Sequence, residues 1–130
     1  MAETCWKGKL FKVKTVQVYN ETKNNTLLER AGLADSFFLR LKGLLGKKEL
    51  PPGQGLVIKP CNAVHTLGMK FPIDVAFVDK ENRICHIIEG MTPSRVGKSV
   101  KGAYYVIEGK PGLFSETCTE VGDLVEVVEL

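Results

Sequence analysis

A single α+β domain, rich in strand, is the fold class predicted by this chain of 130 residues. Three observations carry that expectation. The length suits one hydrophobic core, since domains of about 100–150 residues are the commonest. Short apolar or alternating runs recur at 10–19, 55–58, 73–79, 83–89, 103–108 and 123–130. Only the stretch after Asp35 spaces its apolar residues as a helix of several turns does. The expected architecture is one compact domain over residues 1–130, with 1–9 as a loose N-terminal segment. It holds a mostly antiparallel curled sheet or barrel, one main helix and one short helix.

Each element has its own warrant. Over 10–19, Phe11 and Val13 share one parity while Val16 and Val18 take the other. That slip predicts a bulge near Lys14 and Thr15, or a strand covered on both faces. Turn residues fill 20–25, and Thr26, Leu27 and Leu28 return as a short strand. Asp35 or Ser36 then caps the main helix, whose Phe37, Leu41, Leu44 and Leu45 share a face and which ends at Gly46. Pro51-Pro52-Gly53 breaks the chain before the apolar strand at 55–58. Residues 61–71 show no period and read as a loop. A hairpin over 73–79 and 83–89 follows, joined by Lys80-Glu81-Asn82, and turn formers fill 90–101. A strand over 103–108, a helical turn with Pro111 at its first position and a last strand over 123–130 complete the chain.

Composition excludes several function classes. At 44% hydrophobic and 25% charged the chain has the make-up of a soluble globule rather than a disordered tail. No run approaches the ~20 apolar residues of a membrane span. The first residues lack the apolar stretch of a secretory signal, so a cytoplasmic location with reduced thiols is expected. The net charge of +3 divides into +6 over residues 1–60 and −3 over 61–130. The basic residues form no dense run and carry no aromatic interleaving, so nucleic acid is not an expected partner. Cys5, Cys61, Cys85 and Cys118 include no C-x-x-C pair, which argues against a zinc ribbon. Gly90 and Gly97-Lys98-Ser99 are separated by six residues, one of them proline, where a phosphate-binding loop needs four.

The informative segment runs from 61 to 74. It gathers Cys61, His65, Thr66, Met69 and Asp74, and between Pro60 and Val78 only Lys70 and Asp74 carry full charge. Four chemistries suit it. Cys61, His65 and Met69, at spacings of four, offer a thiolate, an imidazole and a thioether, a soft set for copper with zinc as the other ion. The plain alternative makes Met69 core and His65 a hydrogen-bonded loop residue. A Cys61–His65 nucleophile pair needs a thiol activated by the ring, and no oxyanion hole accompanies it. His65 with Asp74 is the arrangement of an acid–base pair. Simple ligand recognition needs only His65, Thr66, Met69 and Asp74 on a preformed loop, with Arg95 or Lys98 of the facing loop adding positive charge.

Structural roles compete for the neighbouring residues. Asp74, at a strand start, suits acceptance of backbone N–H groups from the preceding loop. His86 alternates with Ile84 and Ile88 as a core or edge histidine, and Glu108 and Asp123 read as braces of the last crossover. The set contains no complete catalytic constellation. The leading expectation is therefore a binding module presenting the 61–74 loop to a small molecule or a protein, with no cofactor. The alternatives are a copper or zinc protein using Cys61, His65 and Met69, and an enzyme built on His65 and Asp74.

The pattern His65-Thr66-x-x-Met69-x-x-x-x-Asp74, followed by Val75-Ala76-Phe77-Val78-Asp79, resembles the bacterial and archaeal family known as domain of unknown function 192. Arg40-Leu41-Lys42-Gly43-Leu44-Leu45-Gly46 matches that family's R-x-x-G-L-M stretch, with Leu45 in place of methionine. Glu108-Gly109-Lys110-Pro111-Gly112 and Gly122-Asp123 match its E-x-x-x-G and G-D signatures. The resemblance covers roughly residues 10–130. It implies a compact β-rich α+β fold and no established activity. Family members often carry a W-M-x-N-T loop where this chain has 65–69, which argues against a universal catalytic histidine.

Overall fold

The computed structural model describes residues 2–6, 9–36, 39–40, 43–44 and 47–130, with side chains described from Val13 onward. The described strands are β1 (Ala2–Trp6), β2 (Lys9–Asn20), β3 (Asn25–Ala34), β4 (Gln54–Ile58), β5 (Ile73–Val78), β6 (Ile84–Met91), β7 (Tyr105–Gly109) and β8 (Val125–Glu129). One short helix, α1 (Leu113–Glu116), lies between β7 and β8. The sheet order is β1-β2-β3-β4-β7-β5-β6, with β8 added to β2. All pairings are antiparallel except β3 with β4, which is parallel and needs the long crossover between them.

The sheet twists until its two ends meet at one corner. Arg83 bridges Leu124, the Ile84 N–H donates to the Asp123 carbonyl at 2.9 Å, and the Val125 N–H donates to the Asn82 carbonyl at 2.9 Å. The result is a curled half-barrel.

β2 explains the parity slip seen in the sequence. Its first half pairs with β1 and its second with β3 and β8. Val13 packs in one apolar cluster while Val16 and Val18 pack in another, so the strand serves two cores. The register shifts flank Val18 rather than Lys14 and Thr15. Residues ahead of 9, read as a loose segment, include β1 in the sheet. β3 runs on to Ala34, well past the expected 26–28. Ala31 and Gly32 carry little strand propensity of their own, and the parallel pairing of Arg30–Ala34 with Gln54–Ile58 supplies the order.

The main helix is only partly within the described residues. Ser36 Oγ accepts the Leu39 N–H at 3.2 Å, as a cap should. Helical bonds follow from Arg40 N to the Ser36 carbonyl and from Gly43 N to the Leu39 carbonyl, both 2.9 Å. Phe37, Leu41, Leu45 and Gly46 lie outside the described residues. The short helix starts at Leu113, not at Pro111. Gly112 caps it at φ 91°, a left-handed conformation that suits glycine. The described chain is thus mostly sheet with one short helix, a weaker α component than α+β implies.

Two cores lie on the two faces of β4, β7 and β5. The first, inside the curl, gathers Val57, Ala76, Val78, Tyr105 and Ile107 with Val16, Val18, Leu27, Leu28, Leu113 and Phe114. The second gathers Leu56, Ile58, Val75, Phe77 and Val106 under Leu39, Leu44, Val64 and Met91. β5 and β7 are consequently buried along their whole length. Any polar side chain on either strand is buried whichever way it points.

Candidate functional site: a cavity over Glu108

The loop after β4 is held to the loop after β6. Gly97 N donates to the Val64 carbonyl at 2.9 Å, Thr66 N to the Arg95 carbonyl at 2.8 Å and Val100 N to the Asn62 carbonyl at 2.8 Å. Thr66 is the staple of this contact. Its hydroxyl donates to the Thr92 carbonyl at 2.6 Å and accepts the Arg95 N–H at 2.9 Å. Val64 and Thr66 are therefore buried while His65 between them stays exposed to solvent, as alternation along extended backbone requires.

This geometry opens a cavity of about 150 Å³ between the loop, β4, β7 and the helical stretch. Leu44, Ile58, Val64 and Met69 give it apolar walls, while Arg40, Cys61, His65 and Glu108 supply polar groups. Glu108 is the unusual member. It is 4% exposed and has no side-chain hydrogen bond or ion pair among the described residues. Burial raises its carboxyl from 4.5 to about 8, so it holds its proton at neutral pH.

The other polar groups also present hydrogens. Burial, the largest influence, pushes the Cys61 thiol up, and the thiol donates to the Ala63 carbonyl at 3.1 Å. A thiol so held is a poor nucleophile and a poor metal ligand. His65 Nδ1 accepts the Leu67 N–H at 3.3 Å, which leaves Nε2 as the N–H donor. Arg40 donates to the Asp35 carbonyl at 3.3 Å while its charge acts on Cys61.

Of the residues singled out by sequence, the cavity brings together Cys61, His65 and Met69. It does not bring in Thr66, Asp74 or Arg95. Arg95 is exposed, with Nε 3.3 Å from Thr92 Oγ1. Asp74 lies on the other face of β5: Oδ1 accepts the Gly90 N–H at 2.8 Å and Oδ2 the Gly112 N–H at 3.1 Å. Its donors come from the end of β6 and the turn after β7, not from the preceding loop. His65 and Asp74 share no hydrogen bond. Asp123 braces as expected, whereas Glu108 braces nothing among the described residues. Those residues hold no cluster of three or more His, Cys, Asp or Glu side chains suited to a metal ion. They include no helix long and apolar enough to cross a membrane.

The family is decided by a model described as "Uncharacterized ACR, COG1430", DUF192, which matches residues 18–127. The chain belongs to the DUF192 family. Among its relatives is a UPF0127 protein of Pyrococcus abyssi, 33% identical over 115 residues, covering 84% of this chain and 95% of the relative. A UPF0127 protein of Pyrococcus horikoshii is also 33% identical over 115 residues, covering 84% and 96%. Two crystal structures share the fold. A protein of unknown function from Novosphingobium aromaticivorans aligns with a TM-score of 0.75 at 21% identity, covering 97% of this chain and 93% of that one. A candidate transcription regulator from Sinorhizobium meliloti aligns at 0.76 and 20% identity, covering 90% and 95%. The DUF192 resemblance read from 65–74 is thereby shown, and two of its motif residues, Arg40 and Glu108, line the cavity.

Proposed function

We propose that this DUF192 protein is a binding module whose site is the cavity walled by Arg40, Cys61, His65, Met69 and Glu108. One observation carries the reading: the Glu108 carboxyl, with no hydrogen-bond partner among the described residues, borders an open cavity. Burial disfavours the charged form of Glu108, so this carboxyl weakens the fold near neutral pH. An occupant that hydrogen-bonds the carboxyl gives that cost a purpose. The cross-loop bonds of 62–66 support a site that exists before anything binds. The three described free cysteines, Cys61, Cys85 and Cys118, suit a reducing compartment, and we place the module in the cytoplasm.

A fragment screen read by amide NMR tests this directly. Binders are expected to shift the 61–69 amides, and His65→Ala and Glu108→Ala are expected to abolish those shifts. A broad library without a binder at these amides, or binders indifferent to both substitutions, overturns the reading. Elemental analysis of protein purified without chelator checks the metal alternative, for which Cys61 as a bound thiol is unfavourable.

A further inference from the structure

We infer that the cavity receives a carboxylate carried on a short apolar body, a ligand class that rests on the binding role proposed above. Size comes first. A volume of about 150 Å³ holds the equivalent of about five waters, room for a carboxylate and two or three carbons. The body would lie against Leu44, Ile58, Val64 and Met69. The polar groups then select the head. Glu108 presents a carboxyl O–H, His65 its Nε2–H and Arg40 a guanidinium, all of them donors.

A carboxylate accepts from the Glu108 O–H in a short charge-assisted bond, with Arg40 neutralising its charge. An ammonium would instead need Glu108 ionised in a buried place, with Arg40 opposing it. Among the described residues, few polar groups face Glu108. The helical stretch contributes Arg40 and the 61–69 loop contributes Cys61 and His65, while its register neighbours Leu56 on β4 and Val75 on β5 are apolar. Two sources supply such a head, a free short-chain acid and the C-terminus of a peptide. For the second, Leu67 and Val96 offer an apolar ledge, 47% and 73% exposed, adjoining His65 through the His65–Val96 bridge.

The experiment titrates the full chain by amide NMR with propionate and butyrate, with propionamide, with propylammonium, and with a tripeptide ending in a free or an amidated carboxyl. The acids are expected to saturate the 61–69 shifts, and propionamide to bind at least about tenfold more weakly. Carboxylate affinity should fall about tenfold per pH unit above about 8, as Glu108 loses its proton. Glu108→Gln keeps a neutral donor, so it retains binding and loses that fall; Glu108→Ala loses binding. Arg40→Gln, at the rim, is expected to weaken binding about tenfold without burying a new polar group. Tighter binding of the free-ended peptide, with shifts reaching Leu67 and Val96, identifies a chain terminus, and binding of the acids alone identifies a small metabolite.

Propylammonium binding that strengthens above pH 8 overturns the inference and leaves the binding role standing. So does carboxylate binding unchanged in both Glu108→Ala and Arg40→Gln. Silence from every probe, joined to silence in the fragment screen, overturns both.

Discussion

Asp74 and Glu108 sit on adjacent strands one rung apart, with Asp74 opposite Gly109 and Val75 opposite Glu108. Both are buried, at 0% and 4% exposure. Side chains alternate across a strand, so the two carboxyls leave the sheet on opposite faces. On the inner face Asp74 meets two backbone donors, Gly90 N–H and Gly112 N–H, and so ties the end of β6 and the turn after β7 to β5. On the outer face Glu108 meets a cavity instead. The same functional group thus finishes the fold at one position and lines a cavity at the other.

The contrast breaks most visibly at Asp74. Asp74→Ala leaves two part-buried N–H groups without their acceptor, so a loss of about 1–3 kcal/mol is expected in denaturant unfolding. Asp74→Asn retains one acceptor oxygen and should lose less. Glu108→Ala removes no bond found among the described residues and should cost far less than Asp74→Ala. Equal losses at the two sites would erase the distinction.

A second effect sharpens the comparison through pH. Burial raises the Glu108 carboxyl from 4.5 to about 8, so the folded protein keeps a proton that the unfolded chain has released. Stability from this group is full below 4.5 and drains as pH climbs toward about 8, at about 1.4 kcal/mol per pH unit, or on the order of 3 kcal/mol by pH 7. Glu108→Gln should flatten that part of the stability curve. A parallel pH dependence in the two proteins would show that Glu108 ionises in the folded state as it does in the unfolded one.

The sequence was legible where local pattern and burial agree. β5, β6, β7 and β8 follow apolar runs between turn residues, and the uncharged loop at 61–69 drew Cys61, His65 and Met69 into one cavity as their proximity suggested. It ran out where the partner strand decides. Asp74 is close to His65 along the chain, yet it shares its parity with Ala76 and Val78 and points into the inner core. Glu108 ends the run Tyr105-Val106-Ile107-Glu108, where an acid usually meets solvent. The available signal was that β7 reads apolar on both parities, hence covered on both faces. Only the pairings with β4 and β5, over 30 to 50 residues away, turn that hint into a buried acid beside a cavity.

Asp123 supplies the mildest test, because it resembles Asp74 in being fully engaged but reaches the surface through Lys23. Burial disfavours its charge, yet hydrogen bonds from Asn20 Nδ2 at 2.9 Å, Glu120 N at 3.0 Å and Lys23 Nζ at 3.2 Å, with the Lys23 charge, outweigh it. The carboxyl is held below its ordinary 3.8. Stability from this pairing is therefore present above pH 3.8 and disappears as pH falls through the lower folded value. Lys23→Gln should give a small loss at pH 6 that closes below pH 4, the opposite pH sense to Glu108→Gln. Lys23 also reaches Glu120 at 2.7 Å, but that carboxylate is largely exposed and solvent screens the pair. A deficit that persists unchanged at pH 2 would mean the lysine acts through packing of its stem rather than through the Asp123 charge.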